Sequence, residues 1–322
     1  MAIPVPHGTI RGRIHGLVVD SDVPLAHAAP VTGTGDADVV IRRSASPWAG
    51  SLEGVEVAAM TEGPHRHLLV DQGAAGYALD VPGVLVATID RTGGRVALHL
   101  DADADPGIQQ LVVSGLLLSL TLAIRGQTLV HASAVETGGR ALAVMGPSGA
   151  GKSTLAAVLC RAGARLLSDD QLRIDVTAEP RCWRSAVHLR ARQHGLGSLV
   201  AETSPTTRDS ADGRTLIEPP LSGDGSCLLA AVVAPSFDPT SRQVAVERLD
   251  GISAATAILA ARAVPGTLSD AWEVAAFHRA LDIVASVPVW RVVLPWGAEY
   301  FDDIAQELLA LVPAGSGAAA GQ

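Results

Sequence analysis

The stretch GPSGAGKST, residues 146–154, has residue types and spacing suited to binding phosphate groups. It matches the pattern G-x-x-x-x-G-K-[ST] at Gly146, Gly151, Lys152 and Ser153. Glycines let consecutive backbone N–H groups turn inward around phosphate oxygens, and a helix starting near Lys152 adds the positive end of its dipole. The Ser153 hydroxyl is the group that binds magnesium in such a loop. The stretch therefore predicts a nucleotide phosphate-binding loop that follows a strand and opens a helix.

Lys152 is the only lysine among the 24 lysine and arginine residues of the chain. A compact ammonium on a flexible stem can reach between the β- and γ-phosphates, whereas the guanidinium of arginine is wider and prefers a flat bidentate partner. The chain therefore keeps lysine at the one position where arginine is not a substitute. The predicted nucleotide-binding residues are Gly146, Ser148, Gly149, Ala150, Gly151, Lys152, Ser153 and Thr154.

Two adjacent carboxylates, Asp169 and Asp170, follow the loop after one helical pattern and one short strand, ARLLS. This order places them at the end of a strand that can lie next to the loop's own strand. One carboxylate could hold Mg²⁺ while the other accepts the proton of an attacking hydroxyl. The alternative is a solvated turn, because Asp-Asp often closes a strand.

Three further residues are candidates for the same site. His131 lies in the apolar strand LVHASAV near the loop, where it is either a hydrogen-bonded core residue or a helper base. Arg214 and Glu218 lie in DGRTLIEPP, where Arg214 could clamp a phosphate and Glu218 could help to hold a metal. The alternative for both is a solvated charge, which is the usual state of such side chains.

The elements that would position these residues belong to a predicted α/β domain at residues 105–312. A helix is predicted at 108–124, and two strands, QTLVHASAVE and RALAVMG, are joined by a TGG turn. Residues 171–225 read as a long irregular segment, which in a compact domain is usually functional or mobile. The strands CLLAAVVAP and VWRVVLP, helices at 252–263 and 270–286, and the amphipathic helix EYFDDIAQELLALV follow.

The flanking regions differ in pattern from this domain. Residues 1–104 are short segments rich in valine and isoleucine, separated by Gly, Pro and Asp clusters, and predict a β-rich N-terminal domain. Substrate recognition is the role expected of this domain. Residues 313–322, PAGSGAAAGQ, predict a disordered tail.

The composition of the chain argues against several classes of function. The chain has 322 residues, 48% of them hydrophobic, and a net charge of −9, so non-specific binding to nucleic acid or anionic membrane is not expected. The apolar run at 111–124 is too short to span a bilayer and predicts a buried helix. The three cysteines have no zinc-ligand spacing, and no signal-peptide pattern opens the chain, so a reducing cytoplasm is predicted.

The segment LVHASAVETGGRALAVMGPSGAGKSTLAAVLCRAGARLLSDD, within residues 128–170, resembles the catalytic core of the HPr kinase/phosphorylase family. It is most similar to the shorter HPr-kinase-like serine kinases found beside peptide natural-product genes, including those of lasso-peptide biosynthesis. A histidine-containing strand, a phosphate loop and an Asp-Asp pair follow each other closely in that family. The resemblance implies a P-loop core of the HPr kinase and PEP carboxykinase type.

The activity that the resemblance implies is transfer of the γ-phosphate of ATP, with GTP not excluded, to a serine hydroxyl of a peptide or small protein. It assigns Lys152 and Ser153 to phosphates and Mg²⁺. It gives the base to Asp169 and the metal to Asp170, and the reverse order of these two roles stays open. His131 matches the histidine near the acceptor serine. The family's loop for the reverse reaction is not found, so phosphorylase activity is in doubt and HPr is not the expected acceptor.

Two alternatives stay open. A small-molecule kinase could use the same core with a closed pocket. A nucleotide-binding switch could change shape on binding ATP or GTP and transfer phosphate only to water. The sequence leaves homo-oligomer formation open.

Overall fold

The computed structural model describes residues 9–62, 65–176, 179–191, 207–223, 225–264 and 266–313. Its backbone contacts divide the chain into two compact units. The first contains residues 1–129 and 263–276, and the second contains residues 130–262 and 277–322. The helix that the sequence grouped with the second domain therefore belongs, by its contacts, to the first unit. Substrate recognition by the N-terminal domain stays a prediction.

The first unit is built on a ten-stranded sheet with the order β21-β5-β6-β7-β8-β9-β4-β2-β1-β3. Its pairs are antiparallel except β2 with β4 and β4 with β9, which are parallel. The strands are β1 (Ile10–Ile14), β2 (Leu17–Ser21), β3 (Ala29–Pro30), β4 (Val39–Arg43), β5 (Val55–Glu62), β6 (His65–Asp71), β7 (Tyr77–Val81), β8 (Leu85–Ile89), β9 (Arg95–Leu100) and β21 (Thr267–Leu268). The short valine- and isoleucine-rich segments of the sequence thus form strands.

One apolar helix packs into this unit. It contains α1 (Pro106–Val112), a π-helical turn (Val113–Leu117) and α2 (Leu118–Ile124). The Asp105 side chain caps it by accepting the backbone N–H groups of residues 107 and 108. Among the described residues it is the one helix long and apolar enough to cross a membrane, yet half of its apolar window is buried inside the protein. Its leucines join the core of the first unit, which agrees with the predicted buried helix.

The second unit is built on a nine-stranded sheet with the order β10-β14-β15-β19-β12-β11-β13, in which β22 pairs with both β19 and β20. The strands are β10 (Thr128–Val130), β11 (Ala132–Thr137), β12 (Arg140–Met145), β13 (Arg165–Ser168), β14 (Leu172–Asp175), β15 (Arg181–Trp183), β19 (Ser226–Asp238), β20 (Ala245–Arg248) and β22 (Val289–Pro295). A separate small sheet, in the order β16-β18-β17, contains Leu189–Ala191, Thr215–Ile217 and Thr207–Asp209.

Helices cover both faces of the nine-stranded sheet. They are α3 (Lys152–Arg161), α4 (Gly251–Ala260), the part of α5 (Asp270–Ser286) from residue 277 onward, and α6 (Phe301–Ala310). Along β12, Leu142 and Val144 pack with residues of α3 and α6, whereas Ala143 and Met145 pack with residues of α4 and α5. This alternation explains why ALAVM, residues 141–145, is apolar throughout, since a strand that is buried on both faces has no solvent-facing position.

The topology brings the loop and the aspartates to one edge of the sheet. Strand β11 lies between β12 and β13 and is antiparallel to both, so β12 and β13 run parallel and end at the same edge. The loop follows β12 and the aspartates follow β13. The prediction that these two strands are neighbours is therefore wrong, because the tight turn at Gly138 and Gly139, both with positive φ, folds β11 back between them.

Two other predictions need correction. The segment 171–225 is not irregular throughout, because its described parts form β14 to β18; residues 192–206 lie outside the described residues. The segment QTLVHASAVE forms two strands that are interrupted at His131. The predicted tail lies outside the described residues from residue 314 onward. The three cysteines are free and buried, as expected.

Candidate active site

The predicted phosphate loop joins β12 to α3 through three glycines in a conformation that other residues rarely adopt. The φ angles are 152° at Gly146, 87° at Gly149 and 79° at Gly151. A Cβ atom at Gly151 would lie 2.8 Å from the ring of Phe237, so this position excludes side chains for steric reasons as well. Pro147, Ser148 and Gly149 are exposed, which leaves the loop accessible to a ligand. Thr154 lies in the first turn of α3.

The Lys152 side chain points back into this loop. Only 6% of the residue is exposed, and its Nζ donates hydrogen bonds of 2.9 Å to the carbonyls of Gly146 and Pro147. Burial lowers the pKa of Lys152, while the charges of Asp170 and Asp169 act in the opposite direction. The one ammonium of the chain is therefore held at the loop by neutral carbonyl groups that a more strongly accepting anion can replace.

Asp169 ties three segments of the second unit together. Its Oδ1 accepts hydrogen bonds from the hydroxyls of Ser133 at 2.6 Å and Ser153 at 2.9 Å, and its Oδ2 accepts the backbone N–H of Arg190 at 2.8 Å. Burial and the neighbouring charge of Asp170 raise the pKa of Asp169 to about 6, although these hydrogen bonds favour the charged form. Asp169 is thus a buried carboxylate that is poised to take up a proton near neutral pH.

Asp170 has a different environment although it is the next residue. The φ angle of Asp170 is 69°, an uncommon value outside glycine. Its side chain contacts two arginines. Arg190 Nη1 lies 2.8 Å and Arg214 Nη1 lies 3.6 Å from the same oxygen, Asp170 Oδ2. Both arginines also contact Asp212 Oδ2, at 2.5 Å and 3.2 Å. We call these four side chains, Asp170, Arg190, Asp212 and Arg214, the ion-pair cluster.

Two members of the ion-pair cluster, Arg190 and Asp212, were missed by the sequence analysis. No motif marks them, and they lie on β16 and on the turn between β17 and β18, in the segment read as irregular. Burial opposes ionisation of Asp212, but the arginine charges prevail and lower its pKa. The Asp-Gly-Arg turn that carries Asp212 and Arg214 is the one local feature from which the second carboxylate could have been found.

His131 contacts the backbone of the aspartate pair. Its Nδ1 lies 2.7 Å from the carbonyl oxygen of Asp170, which can only accept, so Nδ1 carries the proton and Nε2 keeps its lone pair. Burial and the nearby charge of Lys152 lower the pKa of His131. The side chain is therefore a neutral imidazole at neutral pH, and it holds the strained Asp170 in place.

Glu218 is placed differently from the other candidates. Its carboxylate lies 3.4 Å from His188 Nε2, and the side chain is 53% exposed. The contacts of the described residues do not join it to either aspartate, so a metal-binding role for Glu218 stays a prediction. Arg214, in contrast, is brought to the aspartates by the ion-pair cluster.

The oxygen atoms at this edge suit a magnesium ion. Ser153, Asp169 and Asp170 offer one hydroxyl and two carboxylates, which are the hard ligands that Mg²⁺ prefers. The described residues contain no group of three or more His, Cys, Asp or Glu side chains that could hold a metal by themselves. That pattern fits Mg²⁺, which usually binds through one or two carboxylates together with substrate phosphates.

Comparison with known proteins adds a fold-level likeness. No family model matches the chain, and no curated protein matches it. One solved structure to which this chain is weakly similar is the HPr(Ser) kinase/phosphatase from Coxiella burnetii, which is 11% identical, with 57% of this chain and 96% of that chain covered and a TM-score of 0.30. A TM-score this low supports no conclusion about activity, which therefore depends on the site residues themselves.

Proposed function

We propose that this protein is a serine kinase that transfers the γ-phosphate of ATP, with GTP as an alternative donor, to a peptide or small protein. The observation that carries the proposal is Asp169, a buried carboxylate of raised pKa bonded to Ser153 at the first turn of the loop helix. A proton acceptor and a glycine-rich loop with its lysine thus meet at one sheet edge. Phosphoryl transfer needs these two parts.

The loop residues would hold the phosphates. The backbone N–H groups of the loop after Pro147, which has none, and the amino end of α3 favour an anion at this position. Lys152 would exchange two carbonyl acceptors for phosphate oxygens, which form stronger, charge-assisted hydrogen bonds. The lysine then reaches the transferring group without a change of backbone conformation.

Magnesium would be held by Ser153 and Asp170, whose two arginine contacts both fall on Oδ2. When bound, Mg²⁺ supplies charge neutralisation at the transferring phosphoryl group. Because both arginine contacts fall on Asp170 Oδ2, Oδ1 of that carboxylate would be the oxygen offered to a metal ion. We therefore assign the base to Asp169 and the metal ligand to Asp170, an order that the sequence alone leaves open.

The chemical step follows from the position of Asp169. The oxygen of the acceptor serine forms a bond to the γ-phosphorus while the bond from that phosphorus to the β–γ bridging oxygen breaks and ADP leaves. The serine proton passes to the Asp169 carboxylate. A pKa of about 6 leaves this group mostly ionised at neutral pH and makes it a stronger base than an ordinary aspartate. Neutral His131 positions the pair through the Asp170 carbonyl.

The peptide acceptor is supported by the resemblance of residues 128–170 to the HPr-kinase-like enzymes of peptide natural-product pathways. The β-rich first unit and the segment 171–225 would hold the peptide, and the protein would act in the cytoplasm. Self-assembly stays an open alternative to a monomer.

Incubation of the purified protein with Mg²⁺, γ-labelled ATP and candidate peptides encoded near its gene tests the proposal. We expect mass spectrometry to find one added phosphate on a peptide serine, and none with Lys152→Ala. If ATP binds but no peptide gains phosphate, the peptide-kinase proposal is wrong and a small-molecule kinase becomes the better candidate. The variant Asp169→Asn distinguishes a kinase from a nucleotide switch. A kinase loses transfer and keeps its nucleotide affinity, whereas a switch keeps its nucleotide-dependent conformational change.

A further inference from the structure

Two aromatic side chains lie beyond the loop, on the side of β12 that faces away from the aspartates. Phe237 is the second-last residue of β19, and Trp296 directly follows β22. Strands β12, β19 and β22 are parallel, so these residues lie at the same sheet edge as the loop. The two rings pack edge to face, with centroids 5.5 Å apart and an angle of 79° between their planes. We call Phe237 and Trp296 the aromatic pair.

Within the aromatic pair, Phe237 contacts the loop and Trp296 is exposed to solvent. The Phe237 ring lies where a side chain at Gly151 would be, 2.8 Å from the Cβ position, so it contacts the loop backbone directly. Trp296 is 68% exposed, an unusual state for the largest apolar side chain. The Trp296 ring packs against Phe237 and is otherwise largely open to water, so it has surface left to accept a flat ring.

The segments that carry the aromatic pair are also connected. Arg242, in the turn after β19, donates a hydrogen bond of 3.0 Å to the Tyr300 hydroxyl, in the short 3₁₀ helix after β22. This bond and the ring contact link the two strand ends at two points. These contacts restrict the movement of the segment that carries the Trp296 indole.

The strand order gives a direction to a bound nucleotide. Asp169 follows β13, on one side of β12, and would receive the reacting end of the triphosphate. Strands β19 and β22 lie on the other side of β12. A nucleotide whose γ-phosphate faces Asp169 therefore extends its sugar and base toward the aromatic pair.

We propose that Trp296, supported by Phe237, is the platform on which the base of the nucleotide stacks. The inference depends on the proposed function, because it needs a nucleotide on the loop. Stacking uses the π-face that every base has, so the platform binds adenine and guanine alike and explains why the loop sequence carries no base-reading motif.

The test compares ATP with inorganic tripolyphosphate, which has the phosphates but no base, by calorimetry in the presence of Mg²⁺. Trp296→Ala is expected to weaken ATP binding about tenfold, the size of one base stack, and to leave tripolyphosphate binding unchanged. Trp296→Phe restores most of the ATP affinity. Phe277→Ala, which removes another exposed aromatic side chain of the second unit, serves as the matched control and leaves both affinities unchanged.

The outcomes separate the platform from the proposed function. Equal ATP affinity for wild type and Trp296→Ala overturns the platform, as does an equal loss for ATP and tripolyphosphate, which would mean that Trp296 acts on the loop. If folded wild-type protein binds neither ligand, the proposed function itself fails.

Discussion

The two sides of the glycine-rich loop carry different kinds of side chain. On the side of β11 and β13, buried Asp169 and the ion-pair cluster surround the loop with charged groups. On the side of β19 and β22, the aromatic pair presents an apolar and largely exposed ring. Charges that take part in transfer must be desolvated to act strongly, whereas a stacking surface has to stay open. Under the proposed function, this difference means that phosphate transfer and base binding can be altered separately, and Lys152 lies where both sides meet.

Lys152→Ala should have the largest effect because both sides need the lysine. We expect phosphate transfer to fall on the order of 10³-fold, since a preorganised cation at the transferring group is lost, and nucleotide binding to weaken as well. Lys152→Arg should not restore transfer, because the wider guanidinium does not fit the loop. Single-turnover transfer and ATP calorimetry on the three proteins measure this. Wild-type transfer by the arginine variant would show that the loop does not discriminate between the two cations.

Asp169→Asn removes a charge on the β11 and β13 side of the loop and leaves the aromatic pair unchanged. We expect transfer to fall roughly 10²- to 10³-fold, the usual contribution of a general base, while ATP affinity stays within a few-fold of wild type. Trp296→Ala should do the opposite, because it weakens ATP binding and leaves the groups that carry out transfer in place. Steady-state rates at saturating ATP and a binding isotherm distinguish the two. Asp302→Asn is the control, because this carboxylate is 93% exposed and pairs with Arg161 at the opposite end of α3 from the loop. Wild-type turnover by Asp169→Asn would mean that another group takes the proton.

The free energy of unfolding should depend on pH between 4 and 6 through Asp169, whereas the aromatic pair has no group that titrates there. The pKa of Asp169 is about 6 in the folded protein and 3.8 in an ordinary aspartate, so the folded state holds its proton more tightly. The stability that this proton confers is present below about pH 4 and is lost as pH rises to about 6. The wild type should therefore lose up to about 3 kcal/mol relative to Asp169→Asn between pH 4 and 7, since each pKa unit is about 1.4 kcal/mol.

Urea unfolding of both proteins at the two pH values measures that difference, and constant effects of the substitution cancel in it. Transfer should rise through about pH 6 in the wild type, as the base loses its proton. An unfolding free-energy difference that is the same at both pH values would show that Asp169 is not a strongly perturbed carboxylate.

The ion-pair cluster offers a smaller structural test. Arg190→Ala removes a cation that contacts Asp170 at 2.8 Å and Asp212 at 2.5 Å, and leaves two partly buried carboxylates with Arg214 alone. We expect a loss of about 2 kcal/mol in unfolding free energy, the size typical of breaking a partly buried pair. The control, Arg291→Ala, breaks an exposed pair with Glu247 and should cost less than about 1 kcal/mol. Equal losses for both variants would show that burial does not strengthen the cluster.

Local sequence patterns predicted a large part of this site. The loop, α3 and β13 follow each other without a break, so glycine positions and apolar spacing predicted each element and its order. The neighbouring position of β12 and β13 was predicted wrongly, because the returning strand β11 pairs with both, and no short pattern encodes such pairing. Ser133, which binds Asp169 from β11, was missed for the same reason.

By itself, the sequence determined the phosphate loop, the single lysine in it, the helix behind it and the adjacent pair of aspartates, since these depend on neighbours along the chain. Only the tertiary structure decided that Asp169 is buried against two hydroxyls while Asp170 faces Arg190 and Arg214. It also decided that Phe237 and Trp296, which are far apart along the chain, meet beside Gly151. The physical reason is that burial and charge pairing depend on which strands become neighbours in the sheet, and those pairings join residues distant in sequence.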